Sequence, residues 1–131
     1  MPAWQRWFTI SALCICSITG IAFLLGHEFQ ISRGTLGDRN VLIIHGISAA
    51  ITLIAFGTVL PFHLKAVFKA KKALISGISQ LILLIILAIT AMLLYYVPAE
   101  LHEGIELTHW IFGLIFFGFF IFHAINKTLP K

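Results

Sequence analysis

Charge is what this sequence has least of. Only 11% of its 131 residues are Asp, Glu, Lys or Arg, against roughly 25% in an ordinary soluble domain. A water-facing surface cannot be built from so few charges, and no segment has the composition of a soluble domain. Cysteine is nearly absent as well. Cys14 and Cys16 are the only two, and residues two apart on a helix point about 200° away from each other, a poor geometry for a mutual disulfide. They read as small buried side chains. No C-x-x-C-H run occurs, which excludes covalent c-type haem attachment, and neither an iron–sulfur cysteine cluster nor a flavin fingerprint is present. The net charge of +4 is modest and forms no nucleic-acid patch.

What is there in abundance is apolar surface: 60% hydrophobic residues and a mean hydropathy of +1.01. Four long apolar runs, about 8–25, 41–62, 74–97 and 105–125, each approach the ~20 residues that carry a helix across a bilayer. Backbone groups in lipid must be satisfied within the segment, so the runs are helices and not strands. The first run follows Arg6 and has the look of a secretory signal, but it exceeds the ~7 to 15 residues of a signal core and no small-x-small cleavage site follows, so it reads as a retained helix. Short connections predict an all-α, up-down-up-down four-helix bundle in one domain, 1–131, without internal repeats.

Lys and Arg give an orientation. Arg6, Lys65, Lys69, Lys71, Lys72, Lys127 and Lys131 fall on one side, with the four central lysines in a loop at 64–73, while only Arg33 and Arg39 fall on the other. The positive-inside rule then puts both termini in the cytoplasm. The outer connection near 98–108 carries Glu100, Glu103 and Glu106 and no cation.

Six histidines remain to be explained: His27, His45, His63, His102, His109 and His123. His45 and His63 are 18 residues apart in the second run, five whole helical turns, so they share one face. His109 and His123 are 14 apart in the fourth run, about 40° short of four turns. The second and fourth helices run in the same direction. His45 therefore lies at a depth similar to that of His109, and His63 to that of His123, which gives two levels with one imidazole from each helix. Ionisable residues inside a membrane are functional by default.

Two opposed neutral imidazoles in an apolar bundle suit a non-covalent b-type haem, a flat and largely apolar macrocycle whose iron takes one nitrogen above and one below. Zinc or copper would require three or four ligands, and no Asp, Glu or Cys lies at these depths on the second or fourth helix. Gly20, Gly46, Gly57, Gly77, Gly113 and Gly118 leave room for a planar group, or equally for close helix packing. The phenylalanines at 112, 116, 117, 119, 120 and 122 run around more than one face, which makes most of them lipid contacts or general packing.

Two histidines on the second helix and two on the fourth resemble the diheme b-type cytochromes, both the cytochrome b core of quinol-oxidising respiratory complexes and the small four-helix bacterial cytochromes that serve as membrane subunits of dehydrogenases or work alone with quinone. The 14-residue spacing of His109 and His123 matches the one familiar in that group. The resemblance implies two b haems, electron exchange with quinone or a redox protein, a place in a larger redox complex or a homo-oligomer, and a bacterial inner (plasma) membrane. The 18-residue spacing of His45 and His63 is about 6 Å longer in axial rise than its partner's, a difference that tilt or a bend at Pro61 would absorb. Many dehydrogenase-linked members carry a ligand histidine at the start of the first helix, and this chain has AWQRWF there.

Other residues enter with assigned roles. Arg39 and Lys65 flank the second helix and are candidate partners of haem propionates, as well as ordinary positive flanks. His102 lies seven residues before His109 on nearly the same face and is the alternative outer ligand if the fourth helix begins earlier than 105. His27 with Glu28, and His102 with Glu103, are candidate proton acceptors for quinol oxidation at the outer face, since imidazoles and partly buried carboxylates titrate in the working range. Two other functions fit the same composition: a membrane anchor subunit of a dehydrogenase, with or without haem, and a small transporter subunit using the histidines as a proton relay.

Overall fold

The fold is that of a computed structural model, which describes residues 1–70 and 74–126. Lys71, Lys72, Lys127 and Lys131, four of the cations that set the expected orientation, lie outside the described residues. Four helices account for nearly all of the rest: α1 (Ala3–His27), α2 (Arg39–Ala70), α3 (Leu74–Tyr96) and α4 (Ala99–Asn126). All four are long and apolar enough to cross a membrane.

Three of the helices outrun their apolar segments. α1 starts at Ala3 and takes in AWQRWF, α2 continues to Ala70, and α4 starts at Ala99. Lys65 and Lys69, expected in a loop, are helical, and so are Glu100, His102, Glu103 and Glu106. The reason is that hydropathy marks only the part of a helix that lipid selects, whereas Ala, Lys and Glu are strong helix formers in water. α2 also runs uninterrupted through Pro61.

The exposure pattern is that of a lipid-solvated chain. Ile54, in the middle of α2, is 66% exposed and Ile75 in α3 is 85% exposed, while among the described residues no large side chain is fully buried. In water such surface would drive aggregation; in hydrocarbon it costs nothing. Trp4 and Trp7 near the start of α1, and Tyr95 and Tyr96 at the end of α3, are all exposed, as amphipathic rings at a headgroup boundary are. Of the phenylalanines in α4, Phe116 is buried and Phe119 and Phe122 are exposed, the mixture expected of a cluster that wraps more than one face.

The chain divides into two compact units, Met1–Lys69 and Ala70–Lys131. In the first, α1 closes on a turn built by left-handed residues. Gln30 (φ 57°) and Ser32 (φ 47°) reverse the backbone, the Ile31 N–H reaches back to the Leu25 carbonyl at 3.0 Å, and the Gln30 side-chain amide donates to the His27 carbonyl at 2.8 Å. These bonds occupy carbonyls that a helix end leaves orphaned. Asp38 starts α2: its carbonyl accepts from the Val41 and Leu42 N–H groups and its carboxylate accepts from the Asn40 side-chain amide. The connection packs onto α1 through two glycines. A Cβ on Gly26 would sit 2.0 Å from the Gly37 backbone nitrogen, so α1 and the 31–37 segment touch backbone to backbone.

The second unit is a helical hairpin. Pro98 biases Val97 away from helical angles and ends α3, and its own carbonyl accepts from the Leu101 N–H at 3.0 Å to open α4. Two residues therefore separate the helices, which forces α3 and α4 to lie antiparallel along each other.

Candidate functional site

The histidines are best understood one unit at a time. In the first unit, His45 sits six residues into α2, half-buried, with its ring against α1. Its Nδ1 lies 2.9 Å from the backbone carbonyl oxygen of Cys16. That carbonyl belongs to a helix interior, where the fourth residue onward covers it. Here that residue is Gly20. A Cβ at Gly20 would come within 2.8 Å of His45 Cε1 and 3.1 Å of Nδ1, so the missing side chain is what lets the imidazole reach the main chain of α1. A carbonyl can only accept, so Nδ1 carries the proton and Nε2 carries the lone pair.

Small polar groups surround this contact. Thr19 Oγ1 is 3.4 Å from His45 Nδ1, but its proton goes to α1 itself, to the carbonyls of Ile15 at 2.7 Å and Cys16 at 3.0 Å. Cys16 Sγ is 3.8 Å from Nδ1. Neither cysteine is in a disulfide, and both are half-buried. Ser48 and Thr52, almost wholly buried on α2, donate to the carbonyls of His45 at 2.9 Å and Ser48 at 2.7 Å. Hydroxyls that spend their proton on their own helix are tolerated in an apolar interior.

The second unit repeats the logic with other atoms. Thr90 on α3 is 7% exposed, and its hydroxyl donates to the carbonyl of Ile86 at 2.9 Å or Leu87 at 3.1 Å. With that proton committed, Thr90 Oγ1 faces His109 Nδ1 at 2.8 Å as an acceptor. In that arrangement Nδ1 of His109 donates and the lone pair is on Nε2, the tautomer that the Cys16 carbonyl requires of His45. In both units the imidazole is fixed in the tautomer of a metal-ligating histidine, whose other nitrogen donates to an oxygen.

The remaining expected residues are placed as follows. His63 and His123 are half-buried on α2 and α4, and Nε2 of His123 is enclosed. His102 lies on α4, as the earlier start at Ala99 requires, but it is exposed and its Nδ1 pairs with Glu106 at 3.7 Å. His27 ends α1, exposed, its ring stacked on Phe23 with centroids 5.1 Å apart. Glu28, Arg39, Lys65 and Glu103 are all exposed. Among the glycines, Gly20 adjoins a candidate ligand, while a Cβ at Gly57 or Gly118 would meet nothing within 4 Å.

An apolar groove of about 350 Å³ also runs along the first unit, lined by Phe8, Ala12, Ile15, Ile44, Ser48 and Ile51 among others. It holds no side chain able to ligate a metal, so the candidate site is the histidines and not the groove.

Sequence reasoning singled out His45 and His109 but missed the Cys16 carbonyl and Thr90, which hold them. A carbonyl acceptor leaves no trace in a sequence, and a threonine in an apolar run reads as filler. Gly20, four residues after Cys16, was noted only as a small residue. The chain matches no protein-family model, no curated protein and no solved structure.

Proposed function

We propose that this chain is a membrane electron carrier that holds two b-type haems, one toward each membrane face, and exchanges electrons with quinone or with a one-electron redox protein. The observation that supports it best is the matched state of His45 and His109. Each donates its Nδ1 proton to a fixed oxygen, and each thereby presents a neutral Nε2 donor of the kind haem iron takes. The donor set fits the group: neutral nitrogen in apolar surroundings, with no carboxylate on α2 between Arg39 and Ala70 to favour a harder ion.

Bound haem would supply one-electron chemistry at the iron. The chain's own residues hold, orient and insulate. His45 with His109 would serve the outer level and His63 with His123 the inner one, a pairing that rests on their sequence registers. Each anchor lies near a helix end within its own unit: His45 is six positions after the start of α2 at Arg39, and Thr90 six positions before the end of α3 at Tyr96. Arg39 and Lys65, exposed near the two ends, have the charge to neutralise propionates. His102 is exposed and paired along its own helix, which favours His109 as the outer ligand.

The test is direct. The protein purified from haem-replete cells should be red, with a dithionite-reduced spectrum of bis-imidazole haem b and two haems per chain released by acid acetone. A colourless preparation would overturn the reading and turn the histidines into a proton relay.

A further inference from the structure

The anchor of His109 differs from that of His45 in one respect that matters chemically. His45 donates to a main-chain carbonyl, whereas His109 donates to a side-chain hydroxyl that is itself a donor to α3's carbonyls. We infer that Thr90 is a positioning residue that selects the His109 tautomer, aims its ring and sets its strength as an iron ligand. For its functional meaning the inference rests on the haem reading above.

The argument begins with the hydroxyl's geometry. Thr90 Oγ1 lies 2.9 and 3.1 Å from two carbonyl oxygens of its own helix and 2.8 Å from Nδ1 of His109. A hydroxyl has one proton and two lone pairs. The hydroxyl is placed to donate to the carbonyls of Ile86 and Leu87, and with its proton spent there a lone pair is left toward α4. A hydroxyl that is donating becomes a better acceptor, because each bond in such a chain polarises the next. The Nδ1–H bond of His109 is therefore drawn out, the ring gains electron density, and Nε2 becomes more basic. With haem iron held at Nε2, this greater basicity would favour the ferric state and lower the reduction potential.

Burial makes the device effective. Thr90 is 7% exposed and His109 half-buried, so water is a poor competitor for the bond. The two-residue link between α3 and α4 fixes the register that brings residues 90 and 109 together. Thr90→Val keeps the β-branched shape and removes both lone pairs. The carbonyls of Ile86 and Leu87 keep their helical N–H partners, so the substitution acts on His109 and not on α3.

Two readouts separate this inference from the haem reading. Imidazole ¹⁵N shifts of the haem-free chain in detergent should show His109 protonated at Nδ1 in the wild type, a mixture of tautomers in Thr90→Val, and recovery in Thr90→Ser. In the haem-loaded protein, Thr90→Val should raise the midpoint potential of one haem and shift its low-spin EPR signal, leaving the other haem unchanged, again with recovery in Thr90→Ser. An Nε2-protonated His109 in the wild type, or identical shifts in wild type and Thr90→Val, would overturn the inference whether or not haem binds. Two haems with potentials unmoved by Thr90→Val would overturn the tuning role while leaving the haem reading intact. Unchanged helical circular dichroism in all three proteins confirms that the comparison is made on folded chains.

Discussion

Substituting Gly26 by alanine puts the backbone contact between α1 and its following turn to a quantitative test. An added Cβ would lie 2.0 Å from the Gly37 nitrogen, 2.5 Å from the Leu36 carbonyl carbon and 2.6 Å from Gly37 Cα. Ordinary contact begins near 3.4 Å, so the segment must retreat by about 1.4 Å. Every atom in the way belongs to the backbone, and none can escape by changing rotamer. Overpacking a tight interior costs about 1–3 kcal/mol, and a rigid obstacle places this site at the upper end. The retreat also strains the left-handed turn at Gln30 and Ser32 and the bond from the Ile31 N–H to Leu25. A loss of about 2–3 kcal/mol corresponds to a fall in Tm of roughly 7–11 °C for a chain of this size. Gly34 provides the control: it lies in the same turn, but a Cβ there meets nothing within 4 Å, and Gly34→Ala should move Tm by no more than about 2 °C. Thermal unfolding followed by circular dichroism in one detergent compares the three proteins. Equal Tm values for wild type and Gly26→Ala would refute the claim that α1 and the 31–37 segment pack backbone to backbone.

Other perturbations address the haem reading. His63→Leu or His123→Leu should remove one haem of two, visible as a halved pyridine haemochrome yield, and simultaneous loss of both would refute two separable levels. His109→Leu should abolish the proposed outer haem while His102→Leu spares it, because His109 is half-buried against Thr90 and His102 is exposed; the reverse result would transfer ligation to His102. Rapid mixing with a soluble quinol tests His27 and His102 as the proposed proton acceptors. A His27→Ala, His102→Ala double variant that retains both haems should reduce them at least tenfold more slowly, a loss within the ~10² range of general-base removal, and an unchanged rate would take these histidines out of the proton path.

The helical character, the number of spans and the histidine pattern were legible in the residues themselves. In lipid the backbone must bond to itself, so apolar runs of about 20 residues leave a single outcome, and helical periodicity then puts His45 and His63 on one face. Helix ends were not legible, because the 99–104 and 63–70 segments are polar yet helix-favouring: hydropathy reports the solvent, whereas hydrogen bonding decides the backbone. Nor was the state of each imidazole. His45 is fixed by a carbonyl 29 residues away in sequence, reachable only because Gly20 lacks a side chain, and His109 by a threonine 19 residues away across a two-residue hairpin. Which nitrogen keeps the proton depends on what lies opposite it. That is a property of two helices in contact, and tertiary structure alone could decide it.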